Sequence, residues 1–132
     1  MYIFLDIDGV LNTQKDWSKL YTLRNDNITR LCNSFPDSKI ILISSWKAGF
    51  ISRGNSKNSP QIKKLESLLT NGLSIIGKTI SKKGEKRNCE IGRFVKEHQI
   101  IDYIIIDDDP DEYDVSFLSD KHLMLIDSNK GF

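Results

Sequence analysis

The stretch Tyr2-Ile3-Phe4-Leu5-Asp6-Ile7-Asp8-Gly9-Val10-Leu11-Asn12 decides how the rest of the chain is read. Tyr2–Leu5 is a short run of aromatic, β-branched and other apolar residues, the mark of a buried strand. Asp6 and Asp8 follow at i and i+2, so on an extended segment both carboxylates project to one side. Gly9 then lets the backbone turn sharply or approach a ligand closely. Taken alone, Asp-x-Asp-Gly at a strand end is as easily a turn as a site. A calcium loop shares the Asp-x-Asp spacing but needs a Glu at its twelfth position, which here is Trp17, so that reading fails.

Outward from this stretch, strands and helices alternate. Residues 12–25 are polar, with Trp17, Leu20 and Tyr21 scattered through a structured loop. Ile28, Leu31, Cys32 and Phe35 recur at helical spacing, and Pro36 ends that helix. Ile40–Ile43 is a second buried strand, followed by a Gly/Ser/Asn/Lys loop over 47–58. In the next helix Ser59 is the N-cap, Pro60 the first residue and Asn71-Gly72 the left-handed stop. Leu73–Ile76 is a third strand and 77–87 a basic loop. Ile91, Phe94, Val95 and His98 again fall at helical spacing, and Tyr103–Ile106 and Leu123–Ile126 are the fourth and fifth strands. Strands apolar throughout and separated by helices imply an α/β fold, a three-layer doubly wound parallel sheet.

The 132 residues suffice for a single domain, 1–132. No apolar run is long enough for a signal core or a membrane span, so the chain reads as soluble and cytoplasmic. Cys32 and Cys89 lack metal-site spacing and read as reduced packing thiols. The net charge of +1 hides a segregation. Residues 47–87 hold ten Lys/Arg against two acids, a balance of +8, while the remainder holds nine against sixteen, a balance of −7. Such a separation fits either a surface built for an anion or two solvated faces.

In a doubly wound sheet, ligands bind beyond the carboxyl ends of the strands. Asp6-Ile7-Asp8-Gly9 follows the first strand, Ser44-Ser45-Trp46-Lys47 the second and Asp107-Asp108-Asp109 the fourth. Lys82, Lys83, Lys86 and Arg87 lie between the last two. Acids, a hydroxyl, a base and further acids recur in the order of a phosphoryl-transfer site. Here the chain resembles the haloacid-dehalogenase (HAD) superfamily. Its motif I matches Asp6-Ile7-Asp8-Gly9-Val10-Leu11, motif II Ser44, motif III Arg87 (with Lys86 and Lys83 as alternatives) and motif IV Asp107-Asp108. The resemblance extends to the capless HAD domains of Swiss Army Knife RNA repair proteins. Ile41-Leu42-Ile43-Ser44-Ser45-Trp46-Lys47, Ile75–Thr79, Ile104–Asp109 and the terminal Leu125-Ile126-Asp127…Gly131 carry that match. Asn88 stands where that pattern has glycine.

The resemblance implies a Mg²⁺-dependent phosphatase. Asp6 would attack phosphorus and Asp8 would protonate the leaving oxygen. Mg²⁺ would be held by Asp6, Asp8 through its backbone carbonyl, and Asp107 or Asp108. Ser44, with Ser45 behind it, and Arg87 would hold the phosphate oxygens, and Gly9, Lys47, Lys83 and Lys86 would line the substrate's approach. Neither gap that carries a cap in relatives is long enough for a domain, so the site is expected to be open. With Lys47, Arg53, Lys57, Lys78, Lys82 and Lys83 forming a basic track, the expected substrate is a nucleic-acid 3′-phosphate end or a nucleotide. A separate repair kinase or ligase would then be the partner. The rival readings are a phosphoprotein phosphatase and a HAD-fold module that binds phosphate or nucleic acid without turnover. His98 and His122 are expected to be structural or surface residues.

Overall fold

The computed structural model describes residues 1–19, 22–52 and 59–132. Five parallel strands form one sheet: β1 (Tyr2–Leu5), β2 (Lys39–Leu42), β3 (Ser74–Lys78), β4 (Tyr103–Asp107) and β5 (Leu123–Leu125). Their order is β3-β2-β1-β4-β5. The chain winds outward from β1 to β3, then crosses back to place β4 on the other side of β1. That reversal opens the crevice beside β1 and β4, where such sheets bind ligands.

Period-two alternation sorts the strand residues into two cores. Ile3, Leu5, Ile40, Leu42 and Ile106 pack toward α1 (Asn25–Ser34) and α2 (Pro60–Leu68), meeting Ile28, Leu31, Cys32, Ile62 and Leu65. Phe4, Ile41, Ile43 and Ile105 face the other way, toward Ile91, Phe94 and Val95 of α3 (Arg87–Glu97). Both faces of the sheet are therefore covered, as uniformly apolar strands require. Among the described residues, neither the segment between β1 and α1 nor that between β2 and β3 carries an inserted cap. No helix among them is long and apolar enough to cross a membrane.

Element boundaries differ from the sequence expectation in instructive places. Ser59 does cap α2, accepting from the Ile62 amide at 3.4 Å. The helix nevertheless ends at Leu68, before Asn71-Gly72. Those two residues, at φ of 54° and 78°, instead make the turn into β3, because Leu69 already leaves the helix in an extended conformation. The segment after β2 begins with a 3-10 helix, Ser45–Gly49, in place of an open loop. Cys32 is buried as expected, whereas Cys89 is exposed on α3 and packs against no core. His98 stacks on Phe94 and His122 on Tyr103, each with ring centroids 4.0 Å apart. Leu20, Tyr21, Arg53 and Lys57 lie outside the described residues.

Candidate active site

β1 hands the chain directly to Asp6, whose amide donates to the Ile106 carbonyl at 3.0 Å. That bond sets the Asp6 carboxylate beside the end of β4, whose last residue is Asp107. Both acids are withdrawn from solvent, Asp6 at 4% exposure and Asp107 at 0%. Arg87 opens α3 and reaches down to them: its Nη1 lies 2.7 Å from Asp107 Oδ2 and 3.5 Å from Asp6 Oδ1. Its Nε lies 3.6 Å from Glu112 Oε2. Among the motif III candidates, Arg87 is the one brought to the acids. Lys86, the N-cap residue of α3, points its Nζ to the Tyr113 carbonyl at 3.4 Å, and Lys83 is exposed.

Asp107 is held from every side. Its Oδ2 also accepts from the Tyr113 hydroxyl at 2.6 Å, and its Oδ1 accepts from the amides of Asp108 at 2.8 Å and Asp109 at 3.1 Å. The Asp108 carboxylate lies over Gly9, where an added Cβ would sit 2.1 Å from Asp108 Oδ2. Gly9 has φ +83° as well, so glycine is required there both for the turn and for the close approach of that acid.

One oxygen each of Asp6, Asp107 and Asp108 can be chosen so that all three lie within 4.8 Å of one another. Burial, and then the charge of Asp107, push the Asp6 carboxyl well above the usual carboxylate range, against the opposing pull of Arg87. Burial likewise raises Asp108. Burial works to lower the Arg87 guanidinium, and the charges of Asp6 and Asp107 more than reverse it. Burial beside Asp107 also holds the Tyr113 hydroxyl in its protonated, donating form. One guanidinium among three crowded acids leaves a deficit of positive charge. Hard oxygen donors converging on one point fit Mg²⁺, the ion that HAD proteins generally use.

Asp8 stands outside that cluster. Its Oδ1 accepts from Asn12 Nδ2 at 2.9 Å and its Oδ2 from Trp46 Nε1 at 3.2 Å. Asn12 is buried and organises the turn: its Oδ1 accepts from the Gly9 amide at 2.7 Å and from Trp17 Nε1 at 3.2 Å. The carboxyl-terminal residues brace the same turn from outside, with the Phe132 amide donating to the Val10 carbonyl at 2.8 Å. Ser44, buried at the end of β2, accepts from the Trp46 amide at 3.2 Å and thereby starts the 3-10 helix. Ser45 is exposed at the mouth of the site.

Lys47 goes elsewhere. Its Nζ lies 3.0 Å from Glu90 Oε1 and donates to Thr79 Oγ1 at 3.2 Å and Ser81 Oγ at 2.6 Å. Lys78 in turn donates to the Lys47 carbonyl at 3.1 Å. The structure therefore does not bring Lys47 to the Asp6, Asp107 and Asp108 cluster. Asn12, Trp46, Glu112 and Tyr113 join the site without having been singled out for it. Asn12 and Trp46 are adjacent to motif residues and had that signal; Tyr113, an aromatic in an acidic loop, had none.

No curated protein and no solved structure matched the chain. The family model described as the HAD domain in Swiss Army Knife RNA repair proteins matches residues 2–132. The order of acids, base and acids around a β1/β4 crevice is thus that of a HAD-type hydrolase, and the chain belongs to the HAD domains of Swiss Army Knife RNA repair proteins.

Proposed function

We propose that the protein is a Mg²⁺-dependent phosphohydrolase working through an aspartyl-phosphate on Asp6, with nucleic-acid 3′-phosphate ends or nucleotides as substrates. The observation that carries this reading is the buried Asp6 carboxylate, 3.5 Å from the Arg87 guanidinium and within a three-acid cluster whose Asp108 lines an open cavity together with Arg87. A carboxylate attacks a phosphate dianion only where the repulsion between them is cancelled. Mg²⁺ held by Asp6, Asp108 and Asp107 would supply that positive charge and polarise the phosphate. Arg87 is already aligned with the nucleophile and would take the equatorial oxygens as charge spreads over them. Ser44 at the end of the neighbouring strand would complete their binding.

Asp8 fits the acid–base role. Its carboxylate is fixed by Asn12 and Trp46, so it is held clear of the cluster and two residues from the nucleophile. It would give its proton to the leaving oxygen as the bond to phosphorus breaks. It would then take a proton from the water that attacks the aspartyl-phosphate, regenerating Asp6 and releasing phosphate. On a polynucleotide the product would be a free 3′-hydroxyl, the end that a ligase partner requires.

The test is a phosphatase panel with Mg²⁺ over 3′-phosphorylated oligonucleotides, mononucleotides and phosphopeptides. Hydrolysis of the first two ahead of the third is expected. Turnover of phosphopeptides alone would move the assignment to a phosphoprotein phosphatase. Binding of all three without phosphate release would leave a phosphate-binding module.

A further inference from the structure

Two cavities open side by side at the carboxyl end of the sheet, and Asp8 and Trp17 line both. The smaller, about 380 Å³, contains Arg87 and Asp108 and is the place for the phosphate. The larger, about 540 Å³, contains neither; Trp17, Trp46, Ser45, Lys19 and Gln61 are among its walls. Nothing in the transfer of a phosphoryl group needs this second space. Its position relative to Asp8 gives it a purpose. In an in-line displacement, the residue that protonates the leaving oxygen stands on the side toward which the leaving group extends.

Both indoles are keyed to that residue. Trp46, 4% exposed, donates directly to Asp8 Oδ2 at 3.2 Å. Trp17 donates to Asn12 Oδ1 at 3.2 Å, and Asn12 donates to Asp8 Oδ1 at 2.9 Å. The edge of the Trp17 ring is thus pinned while 45% of the residue stays open to solvent. A large aromatic surface held in register with the general acid and left uncovered is suited to receive a flat ring. Among the described lining residues, Lys19 is the cation and Asp8 the acid, a balance that suits a group followed by another phosphate. Ser45 and Gln61 offer a hydroxyl and an amide to the polar edge of such a ring.

We infer that the larger cavity is a leaving-group subsite for the nucleobase adjoining the scissile phosphate, with the Trp17 indole as its stacking face. The inference rests on the phosphohydrolase reading and names the leaving group that reading would act on. Base–aromatic stacking tolerates any base, so the subsite selects for a nucleoside and against a bare sugar phosphate.

The test compares a 3′-phosphorylated oligonucleotide with the same oligonucleotide lacking its terminal base. The wild-type protein should favour the complete end by about tenfold in kcat/KM, the order of one stacked base. Trp17→Phe should keep most of that ratio, and Trp17→Leu should bring it close to one. Taking the ratio within each variant cancels any effect of the lost hydrogen bond on Asn12 and Asp8. Equilibrium binding of both oligonucleotides to the Asp6→Asn protein supplies a second readout that needs no turnover. Base-dependent binding without hydrolysis by the wild type would keep the subsite and overturn the phosphohydrolase. Hydrolysis with no base preference, a preference surviving in Trp17→Leu, or a phosphotyrosyl peptide outperforming both oligonucleotides would overturn the subsite.

Discussion

The first turn of α3 carries opposite charges three residues apart, and each enters a different buried assembly. Glu90 meets Lys47 and Thr79 over the ends of β2 and β3, and Lys47 in turn donates to Ser81. Arg87 meets Asp6, Asp107 and Glu112 over the ends of β1 and β4. The Glu90 assembly is balanced: one cation, one acid and two hydroxyls, with the acid placed where the helix N-terminus favours negative charge. The Arg87 assembly is not. Its cation sits at the wrong end of the helix for the dipole and faces three acids, a surplus that burial makes costly. A balanced pair can hold a β3–α3 junction together without further partners. An unbalanced one has room for a cation from outside, and that sets the candidate active site apart.

Breaking the unbalanced assembly should have the largest effects on activity. Asp6→Asn removes the attacking charge, so kcat should fall by about 10³-fold or more in a Mg²⁺ phosphatase assay. Its thermal midpoint should stay level or rise, because one of the crowded acids becomes neutral. Chelation should abolish turnover and Mg²⁺ should restore it, with Ca²⁺ a poor substitute because it prefers a larger, looser shell. Mg²⁺ should also raise the melting temperature of the wild type by binding the native state, and raise that of Asp108→Asn much less. A wild-type midpoint insensitive to Mg²⁺ would remove the ion from the cluster.

Arg87→Ala should lower kcat by roughly 10²-fold or more, the scale of losing one charged transition-state donor. Lys82→Ala, on an exposed side chain, should change it little; the reverse ranking would place the phosphate elsewhere. The balanced assembly should respond in stability and not in chemistry. Glu90→Gln strands the Lys47 ammonium and should cost about 3–5 kcal/mol by urea denaturation. The paired change Lys47→Met with Glu90→Leu should recover most of that loss, with kcat near the wild-type value. The smallest effect is expected from the basic residues of the sequence track: neutralising Arg53, Lys57 and Lys83 should weaken oligonucleotide binding modestly. The weakening should be visible at about 50 mM salt and fade by about 200 mM.

The resemblance to the HAD motifs pointed to Asp6, to Arg87 with Lys86 and Lys83 as alternatives, and to Asp107 and Asp108. Chemistry and local pattern were enough to read the alternation of five strands and three helices and the doubly wound sheet. Each of these depends on residue type and short-range periodicity, which act through neighbours a few positions away. Ser59 before Pro60 announced the start of α2 for the same reason, whereas Asn71-Gly72 misplaced its end. Positive-φ residues signal a reversal without specifying whether it stops a helix or feeds a strand. Tertiary structure decided the rest. Lys47 has a long, flexible stem that could swing to either assembly, and only the packing of α3 against β2 and β3 puts Glu90 within 3.0 Å of it. Tyr113 donates to Asp107 only because the chain after β4 folds back over the strand's end. The same packing surrounds Asp107 with donors and leaves Asp108 above Gly9, so two adjacent and chemically identical acids acquire different surroundings.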